Sequence, residues 1–469
     1  MPQPAGIAGV DNPRFVSYFI SSVARVEDLL SALSVAGIAR PAALRAELRV
    51  SPPTLAHLVA EAGETVFRIG KTRATRYART RLLEGLGRQL PIYRVDTEGV
   101  VHATGQLRLL WGHRTFWERG GGGRLFEGLP PALVDMSPQG YLGRAFSARF
   151  PELRLPPSIS DWSDDNRLVA LAMRGEDCVG DLIVGDESLN RFMKQVQNDI
   201  EPEAYPRLAR RSAIEAAGSS AGGERPKFGT LSQGRHVLVK YAAQAESGAI
   251  RRWRDLLWCE WKALETVTAA GRAASPAKCM DIEGWRFFEV ERFDRVGVRG
   301  RRAVLSLSAL NNEYFGSPSS WTAAIPFLQQ KPFSLSSEDA SRVRWLDVFG
   351  QLIGNTDRHF GNLTFFVSGD GALRLAPAYD MLPMTLAPSG DVVGTRPFAP
   401  ASPTLATMDV WPEAARWAER YWRDVEAHDD LEVEVRRFAG SAAEAIAGLA
   451  RQLGPQARAQ EPSARRTPC

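Results

Sequence analysis

The chain has 469 residues, room for about three domains at ~150 residues each. Its hydrophobic fraction of 44% and charged fraction of 24% exclude a wholly disordered, collagenous or coiled-coil polypeptide. Lys and Arg number 58 against 54 Asp and Glu, a net +4, so the average charge points to no particular partner. Four cysteines (Cys178, Cys259, Cys279, Cys469) form no C-x-x-C pair, which argues against a disulfide framework or zinc knuckle and for a reducing compartment. No apolar run reaches the roughly 20 residues of a membrane span. The start, MPQPAGIAGVDNPRF, has no basic region followed by an apolar core, so a cytoplasmic protein without membrane contact is expected.

In chain order, residues 1–22 read as a flexible leader. Val26, Leu29, Leu30 and Leu33 recur at helical spacing, and Gly37 is a stop. Pro41 opens a second short helix; Ser51 caps a third that begins Pro52-Pro53 and ends at Gly63. From Thr65, apolar or aromatic residues alternate with basic ones (Arg68, Lys71, Arg73, Arg76, Arg79), as in a β-wing. Between Glu64 and Arg94 the charge is +6, larger than that of the entire chain, so the remainder is slightly acidic. Three short helices followed by a basic hairpin match a winged helix-turn-helix over residues 23–92, with those five cations facing DNA phosphates.

Residues 93–190 carry short alternating runs broken by glycine and proline, a β-rich subdomain in which Gly120 to Gly123 is a surface turn. The main body is expected over 191–453. Residues 454–469, rich in Arg, Gln, Pro and Ser, read as a disordered tail.

The densest chemistry lies at Ile353-Gly-Asn-Thr-Asp-Arg-His-Phe-Gly-Asn-Leu. Val343, Trp345, Leu346, Phe349, Leu352 and Ile353 make a helical apolar face before it; a hairpin with a Ser368-Gly-Asp-Gly371 turn follows. Ala-Tyr-Asp380 comes next. This order, with Asp357 and Asn362 five apart and Asp380 after the hairpin, is that of the catalytic half of a protein-kinase-like lobe; the plainer alternative is a turn in which Asn355 and Asp357 only cap backbone. Phosphoryl transfer needs divalent metal on the phosphates and a carboxylate aligned with the attacking oxygen. His359 has no His or Cys spaced to join it as a metal ligand and reads as a support for the loop.

Upstream, Gly218 to Lys227 is a Gly- and Ser-rich stretch able to bring backbone N–H groups to anions. It leads to an alternating strand ending at Lys240, where a phosphate-pairing lysine belongs. In the following helix, Glu260 lies on the apolar stripe of Trp253, Leu256, Leu257, Trp261, Leu264 and Val267. A carboxylate there is costly unless paired, and Lys240 is its natural partner.

Taken together, Gly175-Glu-Asp-Cys-Val-Gly-Asp-Leu-Ile-Val-Gly, Ala221-Gly-Gly-Glu-Arg-Pro-Lys, Val290-Glu-Arg-Phe-Asp-Arg, the Asn-Thr-Asp-Arg-His block and Leu375-Ala-Pro-Ala-Tyr-Asp-Met resemble the HipA-like serine/threonine kinases, toxins of bacterial toxin–antitoxin modules. The resemblance spans about Tyr93 to Arg451 and implies an α+β, protein-kinase-like two-lobed fold, here with an N-terminal winged helix-turn-helix. It implies ATP and Mg2+ as cofactors, Asp357 as catalytic aspartate, and Asn362 and Asp380 as metal ligands. Gly222, Gly223, Glu224, Arg225, Lys227, Lys240 and His359, with the hinge Glu291, Arg292 and Phe293, would contact ATP. It further implies autophosphorylation at Ser220 (or Ser219), a protein substrate such as an aminoacyl-tRNA synthetase, and an antitoxin partner or self-neutralisation; a homodimer stays open. Two other readings are a small-molecule phosphotransferase and a transcription regulator whose kinase fold senses nucleotide.

Overall fold

The structure is a computed structural model describing residues 24–458, except 139, 197, 217–225, 244–246, 317, 370 and 395. The chain divides into two compact units: Met1–Leu82 with Leu110–Gly112, and Leu83–Leu109 with the rest.

In the first unit, α1 (Val26–Ala36) is followed by the short strand β1 (Ile38–Ala39), α2 (Pro41–Leu48) and α3 (Pro52–Ala62). The predicted stops hold: Gly37 (φ +70°) and Gly63 (φ +54°) end their helices in backbone that a side chain disfavours. Ser51 Oγ accepts from the Thr54 N–H to start α3. Strands β2 (Val66–Ile69) and β3 (Arg76–Arg79) form an antiparallel hairpin, with β1 on the outer edge of β3. Leu29, Leu33, Leu44, Leu55, Leu58 and Val66 fill the core.

The second unit begins with β4 (Gln89–Val95), β5 (Val101–Leu110), β6 (Arg114–Arg119) and β7 (Gly122–Glu127), then α4 (Pro131–Met136), α5 (Gly140–Arg149), α6 (Asp164–Arg174), β8 (Leu182–Val184) and α7 (Asp186–Lys194). The sheet order is β7-β6-β5-β4-β8. The basic head therefore closes at Leu82 and not at residue 92, because β4 is hydrogen-bonded between β5 and β8. The second part of the stretch expected to be β-rich carries the helices α4 to α7, with Leu133, Leu168 and Leu171 packed on that sheet.

Next come β9 (Asp199–Ile200), α8 (Tyr205–Ala216), β10 (Lys227–Ser232), β11 (Arg235–Ala242), α9 (Gly248–Ala269), β12 (Ala277–Ile282) and β13 (Trp285–Glu291). Their five-stranded sheet runs β12-β13-β11-β10-β9. A small hairpin of β14 (Arg295–Val296) and β15 (Gly300–Arg301) leads to β16 (Val304–Ser306), α10 (Leu307–Tyr314), α11 (Trp321–Leu328), β17 (Ser334–Leu335), α12 (Ser337–Leu352), β18 (Thr364–Val367) and β19 (Ala372–Leu375). Helices α13 (Trp411–Glu426) and α14 (Val433–Arg458) finish the unit. The last helix runs to Arg458, into the stretch expected as a tail.

The subdomain expected over 93–190 and the body after it form one compact unit. Asp135 on α4 accepts from Ser306 Oγ (2.6 Å) and the Ser306 N–H. Asp177, in the loop before β8, accepts from Arg292 Nη1 and Arg295 Nη2, both at 3.0 Å. Among the described residues no helix is long and apolar enough to cross a membrane.

Candidate active site

Two structural halves meet at Lys240. On one side, β10 and β11 pair so that Lys227 lies directly opposite Lys240. Side chains opposite one another in an antiparallel pair emerge on the same face. On the other, the apolar stripe of α9 carries Glu260 inward, where its side chain is only 1% exposed. Lys240 Nζ donates to Glu260 Oε1 at 2.6 Å and to Asp380 Oδ1.

This triad decides its own protonation. Burial pushes the Asp380 carboxyl up, but the charges of Lys240 and Lys227 outweigh it and bring it to about 2. Burial would lower Lys240; Asp380 and Glu260 reverse that and hold it above its ordinary value. Glu260 goes the other way, up to about 7, because burial exceeds the help of a lysine shared with Asp380. Asp380 also has φ +55°, a backbone region uncommon for residues other than glycine and frequent at functional sites.

The loop between α12 and β18 is organised by side chains. Asn355, 1% exposed, accepts the Asp357 N–H on Oδ1 (3.0 Å) and donates Nδ2 to the Asp380 carbonyl (3.3 Å). Asn362 Nδ2 donates to the Asp357 carbonyl at 2.9 Å, which leaves Oδ1 as the end it can offer a cation. Arg358 is held by Asp347 Oδ1 (3.3 Å) and the Asn355 carbonyl. Trp321 Nε1 on α11 donates to the His359 carbonyl (3.2 Å), and Tyr379 OH donates to the Gly361 carbonyl (2.6 Å). Against this frame Asp357 is exposed to solvent. His359, also exposed, accepts the Gly361 N–H on Nδ1 at 3.0 Å.

The expected hinge divides. Glu291 ends β13, its N–H bonded to the Pro276 carbonyl. The half-buried Arg292 guanidinium is committed to Asp294 and Asp177, so its charge serves the protein's own ion pairs. Phe293 packs on Tyr379, with ring centroids 5.4 Å apart, and edge-on against Phe366 at 5.9 Å. Gly222, Gly223, Glu224, Arg225, Ser219 and Ser220 lie outside the described residues. Sequence reasoning weighed Asn355 as a backbone cap, which its bond to the Asp357 N–H makes it, and passed over Tyr379. An Asn two residues before the catalytic candidate is an Asx-turn signal; Tyr379 beside Asp380 had no periodic signal to mark it.

Residues 86–193 match the family model for the YjjJ-like toxin, middle domain, and residues 219–453 match the HipA-like C-terminal domain. Toxin YjjJ of Escherichia coli (strain K12) is 34% identical over 419 residues, covering 86% of this chain and 94% of that protein. The chain belongs to the HipA-like toxin family. Among solved structures, it is similar to HipA from the Shewanella oneidensis MR-1 complex of HipA, HipB and operator DNA: 15% identity, TM-score 0.46, covering 71% of this chain and 92% of that one. It is also similar to the Helicobacter pylori proinflammatory kinase CtkA, at 12% identity and TM-score 0.37, covering 51% of this chain and 94% of that one. Within this HipA-like chain, Lys240, Glu260, Asn355, Asp357, Asn362 and Asp380 all fall in the region matched by the C-terminal domain.

Its donor set suits a hard cation: one ionised carboxylate at Asp380 and one amide oxygen at Asn362 are the oxygen ligands magnesium takes beside phosphates and water. Glu260 Oε2, on the same carboxylate that holds Lys240, is buried without a hydrogen-bond partner among the described residues.

Proposed function

We propose that this HipA-like protein is an ATP- and magnesium-dependent protein serine/threonine kinase, with a winged helix-turn-helix DNA-binding module as its first unit. The observation that carries the reading is Lys240 held between Glu260 and Asp380, across from the Asn355-braced loop that presents Asp357. Asn362 and Asp380 would hold magnesium, and Lys240 with Lys227 would face the triphosphate. Bound magnesium neutralises phosphate charge as the phosphoryl group moves.

The chain's own residues do the rest. Glu260 fixes the Lys240 ammonium, so that no binding energy goes into ordering it. Asp357 accepts the proton of the substrate hydroxyl at its carboxylate while orienting the oxygen, and Asn355 keeps its backbone in place. Autophosphorylation at Ser220 or Ser219 belongs to the same proposal; mass spectrometry after incubation with ATP and magnesium is expected to find phosphate on one of them. That a relative is named a toxin supports reading the activity as one that restrains growth by modifying a cellular protein, with translation machinery the first class to test.

Phosphoproteomics after induced expression, comparing wild type with Asp357→Ala, tests the assignment. New Ser or Thr phosphosites appearing only with the wild type are expected. Identical phosphoproteomes, or a phosphorylated sugar or antibiotic with no labelled protein, would set it aside.

A further inference from the structure

In the first unit the helix that would usually read bases has been disarmed, while the hairpin has been armed. A recognition helix reads the major groove with side chains on its N-terminal turns, chiefly Arg, Lys, Asn and Gln at base edges. The outward residues of α3 are Pro52, Pro53, Ala56, His57, Ala60 and Glu61. None is Arg, Lys, Asn or Gln. The start of α3 is equally unsuited to grip a phosphate through its backbone. Pro52 and Pro53 have no N–H, and the Thr54 N–H goes to Ser51 Oγ at 3.3 Å. The Ser51 and Thr54 hydroxyls bond one another at 2.8 Å.

The hairpin is the opposite case. From Thr65 to Leu83 the sequence holds six cations and no acidic residue. Arg68 stands opposite Tyr77, and Arg76 opposite Ile69. Because successive strand residues face opposite sides, Arg68 and Arg76 lie on the two faces of the ribbon. Lys71 and Arg73 occupy its tip, and all four are exposed. The tip is a tight turn: Gly70 has φ +75°, and a Cβ there would sit 2.9 Å from the Ala74 carbonyl oxygen. The Ala74 N–H closes on the Lys71 carbonyl at 3.1 Å. Arg79 is different, since its guanidinium donates to Ser34 Oγ (2.6 Å) and lies 4.3 Å over the Trp111 ring. It anchors the hairpin from within.

We propose that duplex DNA is read by this hairpin, with Arg73 and Lys71 entering the minor groove and Arg68 and Arg76 on the phosphates of either strand, while α3 contributes no base recognition. The inference rests on the DNA-binding reading of the first unit and says how that reading is executed. A narrow minor groove concentrates negative potential and favours inserted arginine. The selectivity is therefore for groove width, with A·T tracts preferred over G·C duplexes, and not for a base-edge code.

Fluorescence anisotropy with the full-length chain tests this, using an A-tract duplex, a G·C-rich duplex of equal length and an RNA duplex over a series of salt concentrations. Tighter binding to the A-tract is expected, with competition by netropsin, a minor-groove ligand. Arg68→Ala and Arg73→Ala should each weaken binding about ten-fold and lower the salt slope by about 1. His57→Ala should bind as the wild type. Gly70→Ala, which keeps every charge but distorts the tip, should lose the A-tract preference, with circular dichroism confirming the fold. Unchanged affinity in both arginine variants, loss of affinity in His57→Ala, or a preference for RNA would overturn the inference while leaving a nucleic-acid-binding unit. No binding of the wild type to any duplex would remove the DNA reading itself.

Discussion

Glu260 has one carboxylate oxygen on Lys240 and the other buried with no hydrogen-bond partner among the described residues. A half-satisfied buried carboxylate is costly, and an apolar residue of similar size would pack there more cheaply. Its retention is accounted for by the ammonium it positions. Glu260→Gln keeps the shape and one hydrogen bond but removes the charge, so Lys240 is then drawn wholly to Asp380. The expected result is a kcat/KM for ATP lowered by about a hundred-fold, the scale of a misplaced reacting group, with KM raised and thermal stability nearly unchanged. Steady-state kinetics beside a melting curve checks it; an intact kcat/KM would mean the pair is structural only. This pairing was legible in the sequence, because Glu260 interrupts a periodic apolar stripe and Lys240 closes the alternating run from His236 within β11. The Asn355 cap was legible too, but its bond to the Asp380 carbonyl and that of Tyr379 to the Gly361 carbonyl were not, since only the folded loop brings those groups within reach.

At the level of elements, Phe349, stacked on Trp345 of its own helix α12, meets Tyr421 of α13 edge-on. Phe349 lies 5.0 Å from Trp345 and 6.3 Å from Tyr421, and has no solvent exposure. Phe349→Ala should cost about 3–5 kcal/mol by urea unfolding, and because α12 leads directly into the Asn355 loop, activity should fall with stability. A loss below 1 kcal/mol would show the helix pair repacks. A second joint is ionic. Burial pushes the Asp294 carboxyl up, but the guanidiniums of Arg292 and Arg295 overcome that and hold it well below the ordinary range. A depressed carboxyl adds stability that is complete above its unfolded pKa, near 4, and is lost as the pH falls towards its folded pKa. Asp294→Asn should therefore cost about 3–5 kcal/mol at pH 7, and the gap to wild type should narrow steadily below pH 4. An equal gap at pH 7 and pH 3 would contradict the ion-pair account. The helices, caps and hairpins here were readable from periodicity, glycine and serine. The joint was not: Asp177 and Arg292 are 115 residues apart in sequence, and no local pattern reports such a pairing.

For the whole molecule, the nearly neutral net charge hides a division of labour. A cationic first unit accompanies a second in which the middle subdomain and the HipA-like body share one compact fold. The sequence suggested three units; the structure has two, because charged residues such as Asp135 and Asp177 tie the middle segment to Ser306, Arg292 and Arg295. The two functions should separate accordingly. Substituting Arg73 and Arg76 together should weaken DNA binding and flatten its salt dependence without changing ATP turnover. Loss of turnover in that variant would assign the basic hairpin to the catalytic body. The central claim remains the chemistry at Asp357. It is tested most directly by incubating purified wild type, Asp357→Ala and Asp380→Ala with magnesium and ATP labelled in the γ-phosphate, then measuring label on protein serine and threonine. Transfer by the wild type alone, with all three proteins equally folded, is the predicted result; undiminished labelling by either variant would contradict it.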